Sequence, residues 1–559
     1  MTLTTEKDKP TLDNNARLDT ALLAELESKN HGARQYYSGE TGLRFYCSDL
    51  AALACKKYDH ESLAKLERQL NVYGTFTIPI VTGHMVKVGD TMREVAFVAA
   101  TETNASHGEM SSMVYLRDQI QVAGAYMELA LSNRVRYERE GVAGKTLLIS
   151  ALDLMSTTSQ LDRFKDVIIR GGKAGQADWP QISLYFDDLD GKRPNGWRNK
   201  QDSWQMLAYL ALDAIERGFV TPEELLNSHR QFLGSVVPLL KAVGFPCYES
   251  SGSWEEVTAR RSSVMAVETA LLYKIKKASK NKQLDFLKDD SVDSVDNFDT
   301  VLDGMIQQGL NELGNRLPYE SPDYDKASVK FRESDAALVY VLRYGVAELL
   351  ARSNTPMRAN GGSPMQIDAI EDIILNQLEG LIDKETNGMI RYKDDSYQRV
   401  NFHTNTVQAT IKSIKQKVQQ AANGGEVDLD KKQQLRGALT PAGRCAAWTH
   451  PLGQVSSWAA RRAVVAKQGG DVENAMRYQQ ISARFLNRAL STVTGDNQWH
   501  AALATNGAYR VQKVAAYKLP ECYVAYETQK GDSFFVPSPH TPLNWSSAML
   551  QEAIGLGLK

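Results

Sequence analysis

Residues 221–246 read TPEELLNSHRQFLGSVVPLLKAVGFP, and this stretch sets the class of the fold. Thr221 supplies an N-cap, Pro222 takes the first helical position, where a missing N–H costs nothing, and Glu224 completes a capping box. Gly244 and Pro246 close the far end. Between them Leu225, His229, Phe232, Val236, Leu240 and Val243 recur at helical spacing. One amphipathic helix with its apolar face on a core is therefore expected.

The same period continues on both sides. Trp204, Leu207, Ala208, Ala211 and Ile215 form a stripe upstream. Leu338, Val341, Leu342, Val346, Leu349 and Leu350 form one downstream, followed by Ile367, Ile370, Ile374 and Leu378. With the stretches near 50–70, 117–134, 143–160, 261–279, 298–312, 455–468, 471–493 and 543–556, these give about a dozen amphipathic helices separated by long polar loops. Strand signals are sparse: two β-rich runs flank Gly89-Asp90, and Asn387-Gly388 is a hairpin turn signal leading into Met389-Ile390-Arg391-Tyr392. Residues 280–300 and 414–436 are charge-rich and read as solvated insertions.

The chain has 559 residues, 43% of them hydrophobic, which is enough for a large core. Lys plus Arg total 65 and Asp plus Glu 67, a net charge of −2, so no basic field exists to hold nucleic acid or an anionic membrane. The five cysteines follow no CxxC or CxxH spacing and read as reduced thiols without a zinc site. No apolar run reaches the roughly 18 residues of a membrane span. Residues 1–15 lack a secretory apolar core, so a cytoplasmic location is expected. No Gly-rich phosphate loop, HExxH or GxSxG occurs, and neither metal nor cofactor is expected. Asp187-Asp188-Leu189-Asp190 falls in a loop before Gly191 and Pro194, whereas a diphosphate-metal site needs carboxylates from one helical face. His403, His450, His500 and His540 read as loop residues with two roles open, lining of the pocket or, favoured in the absence of any paired metal spacing, structural hydrogen bonding.

Four segments carry chemistry: Tyr115-Leu116-Arg117-Asp118, Ser253-Trp254-Glu255-Glu256, Arg391-Tyr392-Lys393-Asp394-Asp395-Ser396-Tyr397 and Leu519-Pro520-Glu521-Cys522-Tyr523. Each alone has an ordinary reading: a first-turn Asp favoured by a helix dipole, a solvated acidic pair, a loop ion-pair network. Taken in order, and followed by Pro542-Leu543-Asn544-Trp545-Ser546, they resemble glycoside hydrolase family 15, the glucoamylases, whose superfamily also includes phosphorylase kinase regulatory subunits. The resemblance runs from about residue 110 to the C-terminus and takes in Phe186-Asp187-Asp188, Trp197 and Gln201-Asp202. It implies an all-α chain, an (α/α)6 barrel of six inner and six outer helices over 111–559, with short β-hairpins in loops and in the N-terminal region. Residues 1–110, mixed helix and short strands, are expected to pack on that barrel.

Carried over residue by residue, the resemblance makes Glu255 the general acid and Glu521 the general base of an inverting, exo-acting α-glucoside hydrolase. Glycosidic cleavage requires that pair: a protonated carboxyl at the leaving oxygen and an ionised one on a water at the opposite ring face. An indole beside Glu255 lowers the local dielectric and favours the protonated acid. By the same resemblance Arg117 and Asp118 grip hydroxyls of the terminal glucose, Glu256 and Arg391 complete the subsite, and Trp197 and Trp254 wall it. The family's usual pattern is not met at Gly252, Pro520 and Cys522. The implied partner is an oligosaccharide or polysaccharide of malto- or isomalto-type, or trehalose. The alternative is a non-catalytic carbohydrate-sensing protein that keeps the pocket.

Overall fold

The computed structural model describes residues 20–54, 58–99, 113–174, 178–192, 201–254, 258–288, 295–326, 328, 330–393, 395, 445–503, 509–527 and 533–559. It is mostly helical. The first helices are α1 (Thr20–His31), α2 (Ser48–Leu53), α3 (His60–Val72), α4 (Leu116–Ser132), α5 (Glu138–Met155) and α6 (Thr158–Arg170). Next come α7 (Gln201–Glu216), α8 (Asn227–Gly234), α9 (Val236–Val243), α10 (Ser262–Ala278) and α11 (Val295–Arg316). The last are α12 (Val339–Arg343), α13 (Val346–Arg352), α14 (Ile367–Glu379), α15 (His450–Gln468), α16 (Val472–Ser491) and α17 (Asn544–Gly557).

Contacts among these helices close a ring. α4 packs on α7, α7 on α10, α10 on α12, α12 on α15, α15 on α17, and α17 returns to α4. Around it lie α5 against α4 and α7, α11 against α10, α14 against α12 and α13, and α16 against α15 and α17. This is the expected (α/α)6 arrangement. The inner helices differ from the outer ones in burial: every residue from Asn544 to Leu556 of α17 and from Ser262 to Leu272 of α10 is buried. A helix sheltered on all sides shows no polar face. Small residues let these helices approach closely, as Gly453 of α15 does beside Met549 of α17.

The centre of the ring is charged toward the C-terminal halves of its helices. Arg343 of α12 pairs with Glu552 of α17 at 3.0 Å, Arg461 of α15 with Glu128 of α4 at 3.4 Å, and Lys274 of α10 with Asp213 of α7 at 2.7 Å. Arg217, just past α7, joins Glu128 at 2.6 Å to Asp213 at 2.9 Å. Buried charges persist because each finds opposite charges from neighbouring helices.

The strands are short. β1 (Tyr36–Ser38) pairs with β2 (Leu43–Phe45), and β3 (Ile80–Val88) with β4 (Thr91–Val98) around Gly89, whose φ of 59° suits its turn. β5 (Met113–Tyr115) runs straight into α4 and pairs with β6 (Ser183–Tyr185), while β7 (Pro356–Met357) pairs with β8 (Ser363–Pro364). β11 (Trp499–Leu503) pairs with β12 (Tyr509–Lys513). The sheet that matters for the site joins β9 (Met389–Ile390), β10 (Ala447–Trp448), β13 (Cys522–Glu527) and β14 (Ser533–Pro537) in the order β14-β13-β10-β9.

Phe45, Leu50, Leu63 and Leu70 share one hydrophobic cluster with the ring helices. The boundary expected at residue 110 lies outside the described residues, as does the charge-rich 414–436 segment.

Three expectations are corrected. The helix read over 221–243 is a 3-10 turn at Pro222–Glu224 followed by α8 and α9. The capping box does form, with Thr221 N donating to Glu224 Oε2 at 2.8 Å. The break falls between Gly234 and Val236 because the ring of Pro238 collides with the carbonyl four residues earlier, on Gly234. The stripe over 338–350 is likewise divided, by Gly345 at a φ of 69°. The 280–300 segment is not simply solvated, since Leu284 and Leu287 are buried and α11 begins at Val295.

Candidate active site

The N-terminal ends of the inner helices are tied to one another. Arg117 in the first turn of α4 makes two parallel hydrogen bonds to Asp202 at the start of α7, Nε at 3.2 Å and Nη2 at 2.8 Å, and a third from Nη1 to Ser253 O at 2.9 Å. Ser253 Oγ returns a bond to Asp202 at 3.1 Å. A cation in a first turn opposes the helix dipole, and the buried carboxylate of Asp202 offsets that with a bidentate contact. Asp118, beside it, is half-buried.

Trp254 continues the chain of contacts. Its Nε1 donates to Asp335 Oδ1 at 2.6 Å, and Asp335 caps the 3-10 turn Ala336–Leu338 that leads into α12 by accepting from Ala337 N at 2.8 Å. Burial raises the Asp335 carboxyl above its ordinary range. It also raises neighbouring Glu320, which takes bonds from Ser263 and is pushed further by the charge of Asp335.

The Trp254 ring lies 5.3 Å from Trp448 and 5.9 Å from His450, and His450 stands edge-on to Trp545 at 3.9 Å. Thr449 Oγ1 meets Ser546 Oγ at 2.9 Å, joining the starts of α15 and α17. The inner helices thus run parallel, with their orphan N–H ends gathered at one mouth.

The last two segments reach the same mouth through the four-stranded sheet. Arg391, after β9, clamps Asp395 through Nε at 2.8 Å and Nη2 at 2.6 Å. Its guanidinium carbon lies 5.3 Å from the Trp254 ring and 5.4 Å from that of Trp448. Glu521 precedes β13 and is buried at 5% exposure. Its N donates to His540 O at 2.9 Å, its carbonyl accepts from Thr449 N at 3.2 Å, and the next residue, Cys522, is the strand partner of Trp448.

Of the residues singled out in the sequence, Arg117, Asp118, Trp254, Arg391 and Glu521 lie on segments that meet here. Glu255, Glu256, Trp197 and His403 lie outside the described residues. His450 and His500 are not loop residues: the first opens α15 and the second belongs to β11. Asn387 does turn the chain, with a φ of 59°, but Met389 bridges to Ile382 and pairs chiefly with Trp448.

Asp335 and Trp448 were missed. Asp335 was readable, being an aspartate three residues before the stripe that starts at Leu338. Trp448 had no such signal, since its neighbours in β9 and β13 are distant in sequence. Among the described residues no cluster of His, Cys, Asp or Glu is arranged to hold a metal ion, and no helix is long and apolar enough to cross a membrane.

No family model and no curated protein matches the chain. Solved structures do. The glucoamylase from Saccharomycopsis fibuligera superposes with a TM-score of 0.51 at 13% identity, over 90% of this chain and 96% of that one. A glycosidase solved in complex with glucose gives 0.49 at 14% identity, over 89% and 99%, and the Hormoconis resinae glucoamylase 0.44 at 11%, over 89% and 73%. The first of these likenesses places the chain in the (α/α)6 barrel fold, in agreement with the closed ring of helices.

Proposed function

We propose that the protein is a glycoside hydrolase that removes glucose from the non-reducing ends of α-linked glucosides with inversion, Glu255 acting as general acid and Glu521 as general base. One observation carries this reading. Trp254, the residue before Glu255, is in ring contact with Trp448, and Trp448 is paired with the residue after Glu521. The tryptophan that precedes Glu255 and the segment that carries Glu521, far apart in sequence, thus meet at one indole-lined mouth, which supports pairing the two carboxylates. Glycosidic cleavage needs two such carboxylates, an acid on one face of the sugar and a base-activated water on the other. Asp118, Glu256, Arg391 and Trp197 are assigned to holding the terminal glucose. Trp254 is assigned to walling that subsite, and Arg117, which the resemblance gave a grip on the sugar beside Asp118, is reassigned on its bonds to Asp202 and Ser253 O to orienting the Ser253-Trp254 turn that precedes the acid.

The test is a panel of α-1,4-, α-1,6- and α,α-1,1-linked glucosides scored for free glucose. The wild-type protein should release it from at least one, and Glu521→Gln should lose about 100- to 10,000-fold in turnover while still binding substrate. Near-normal turnover in Glu521→Gln would remove that residue from the mechanism. Wild-type binding of sugar without turnover would leave the carbohydrate-sensing alternative.

A further inference from the structure

Two buried histidines show how differently this chain treats an imidazole. His229 of α8 is fully enclosed and fully bonded: Nδ1 accepts from Leu226 N at 3.3 Å, and Nε2 lies 2.9 Å from Asp153 Oδ1. It is a structural histidine. His450, at the first position of α15, is 1% exposed, yet neither ring nitrogen has a hydrogen-bond partner among the described residues. Trp545, packed edge-on against it, also has its Nε1 unpaired. Buried polar atoms in native proteins are almost always bonded, and unbonded ones mark the place of a missing partner.

The surroundings define that partner. The imidazole lies beside the indoles of Trp254, Trp448 and Trp545, at the mouth where the inner helices begin. Burial, helped by the charge of Arg117, lowers its pKa to about 3. The ring is therefore neutral, with one nitrogen donating and the other accepting. The cations nearby are already matched, Arg117 by Asp202 and Arg391 by Asp395, each through two bonds. With these cations matched and the carboxylates of Asp118 and Glu521 on the same converging segments, the site does not favour an anion. Apolar ring faces and a group that both donates and accepts suit a neutral polyol ring, whose hydroxyls likewise do both.

Resting on the glucosidase reading above, we propose that His450 is a ligand-contacting residue, its ring nitrogens hydrogen-bonding hydroxyls of a neutral hexose seated among the three indoles. The pocket then favours an uncharged sugar over a uronic acid or a sugar phosphate.

The test uses the full chain and calorimetric binding of glucose, its monodeoxy analogues and glucose 6-phosphate to wild type, His450→Phe and His450→Gln. Glucose should bind wild type in preference to the phosphate. His450→Phe should weaken glucose about 10- to 100-fold, with part of the loss recovered in His450→Gln. One deoxyglucose should bind wild type and His450→Phe alike, because the hydroxyl it lacks is the one His450 holds. If His450→Phe does not fold, His450→Gln must show the same coupling, with a smaller penalty for that deoxy analogue than wild type pays.

Unchanged glucose affinity in a folded variant would overturn the proposal and leave the glucosidase reading standing. So would losses that add for every deoxy analogue, since they would assign His450 to a structural water or to packing. Failure of wild type to bind any neutral hexose would overturn both.

Discussion

Glu268 sits in the second turn of α10 with 2% exposure and takes hydrogen bonds from Gln205 and Tyr248. Burial, with a contribution from Asp202, outweighs those bonds and pushes its carboxyl up to about 8. A carboxyl raised in the folded state contributes stability that is fully present below its unfolded value, near 4.5, and is lost as the pH rises through 8. Wild type should therefore lose stability from about pH 5 to pH 8.5, and Glu268→Gln, which cannot ionise, should lose less over that range. Urea midpoints measured across it provide the check, and parallel profiles would contradict the shift. At this scale the sequence displayed residue types but not pairings. Arg117, Trp254 and Arg391 stood out from their motifs, whereas the bond from Arg117 to Asp202 spans 85 positions and only folding reveals it.

Among the elements, helices with a solvated side were readable because water imposes a 3.6-residue period, as in α14 and α16. Their interruptions followed from single residues whose backbone needs override that period, Pro238 and Gly345. Which helices line the ring was not readable, since residues Asn544 to Leu556 and Ser262 to Leu272 are all buried and present no solvated face to mark an outside. Close approach within the ring gives a prediction. A Cβ added at Gly453 would stand 2.8 Å from Met549 Cβ and 3.1 Å from its backbone carbon, so α15 and α17 must separate to admit it. Gly453→Ala should cost about 1–3 kcal/mol, despite the better helix propensity of alanine. An unchanged denaturant midpoint would show that these helices have slack.

Over the whole molecule, one ring serves two ends. Its C-terminal halves are locked by the network from Glu128 through Arg461 to Glu552 and on to Arg343, and its N-terminal ends hold the candidate site. Glu552 is completely buried against Arg343, so Glu552→Ala should cost about 3–5 kcal/mol by stranding that charge. Replacing both partners, with Arg343→Met and Glu552→Leu, should return much of the loss, because neither charge then needs a partner. Denaturation that shows the double variant no better than Glu552→Ala would contradict this. The fold was legible from helix count and motif order, whereas the convergence of those motifs depends on the parallel run of the inner helices, which no local pattern encodes. The central claim is that Glu255 and Glu521 face a glucoside from opposite sides, with their carboxyls about 6.5–9.5 Å apart and room for a water between base and sugar. Proton NMR of the first glucose released from an α-glucoside, read before mutarotation, tests it most directly. β-Glucose is the predicted product, and initial release of α-glucose would contradict the account.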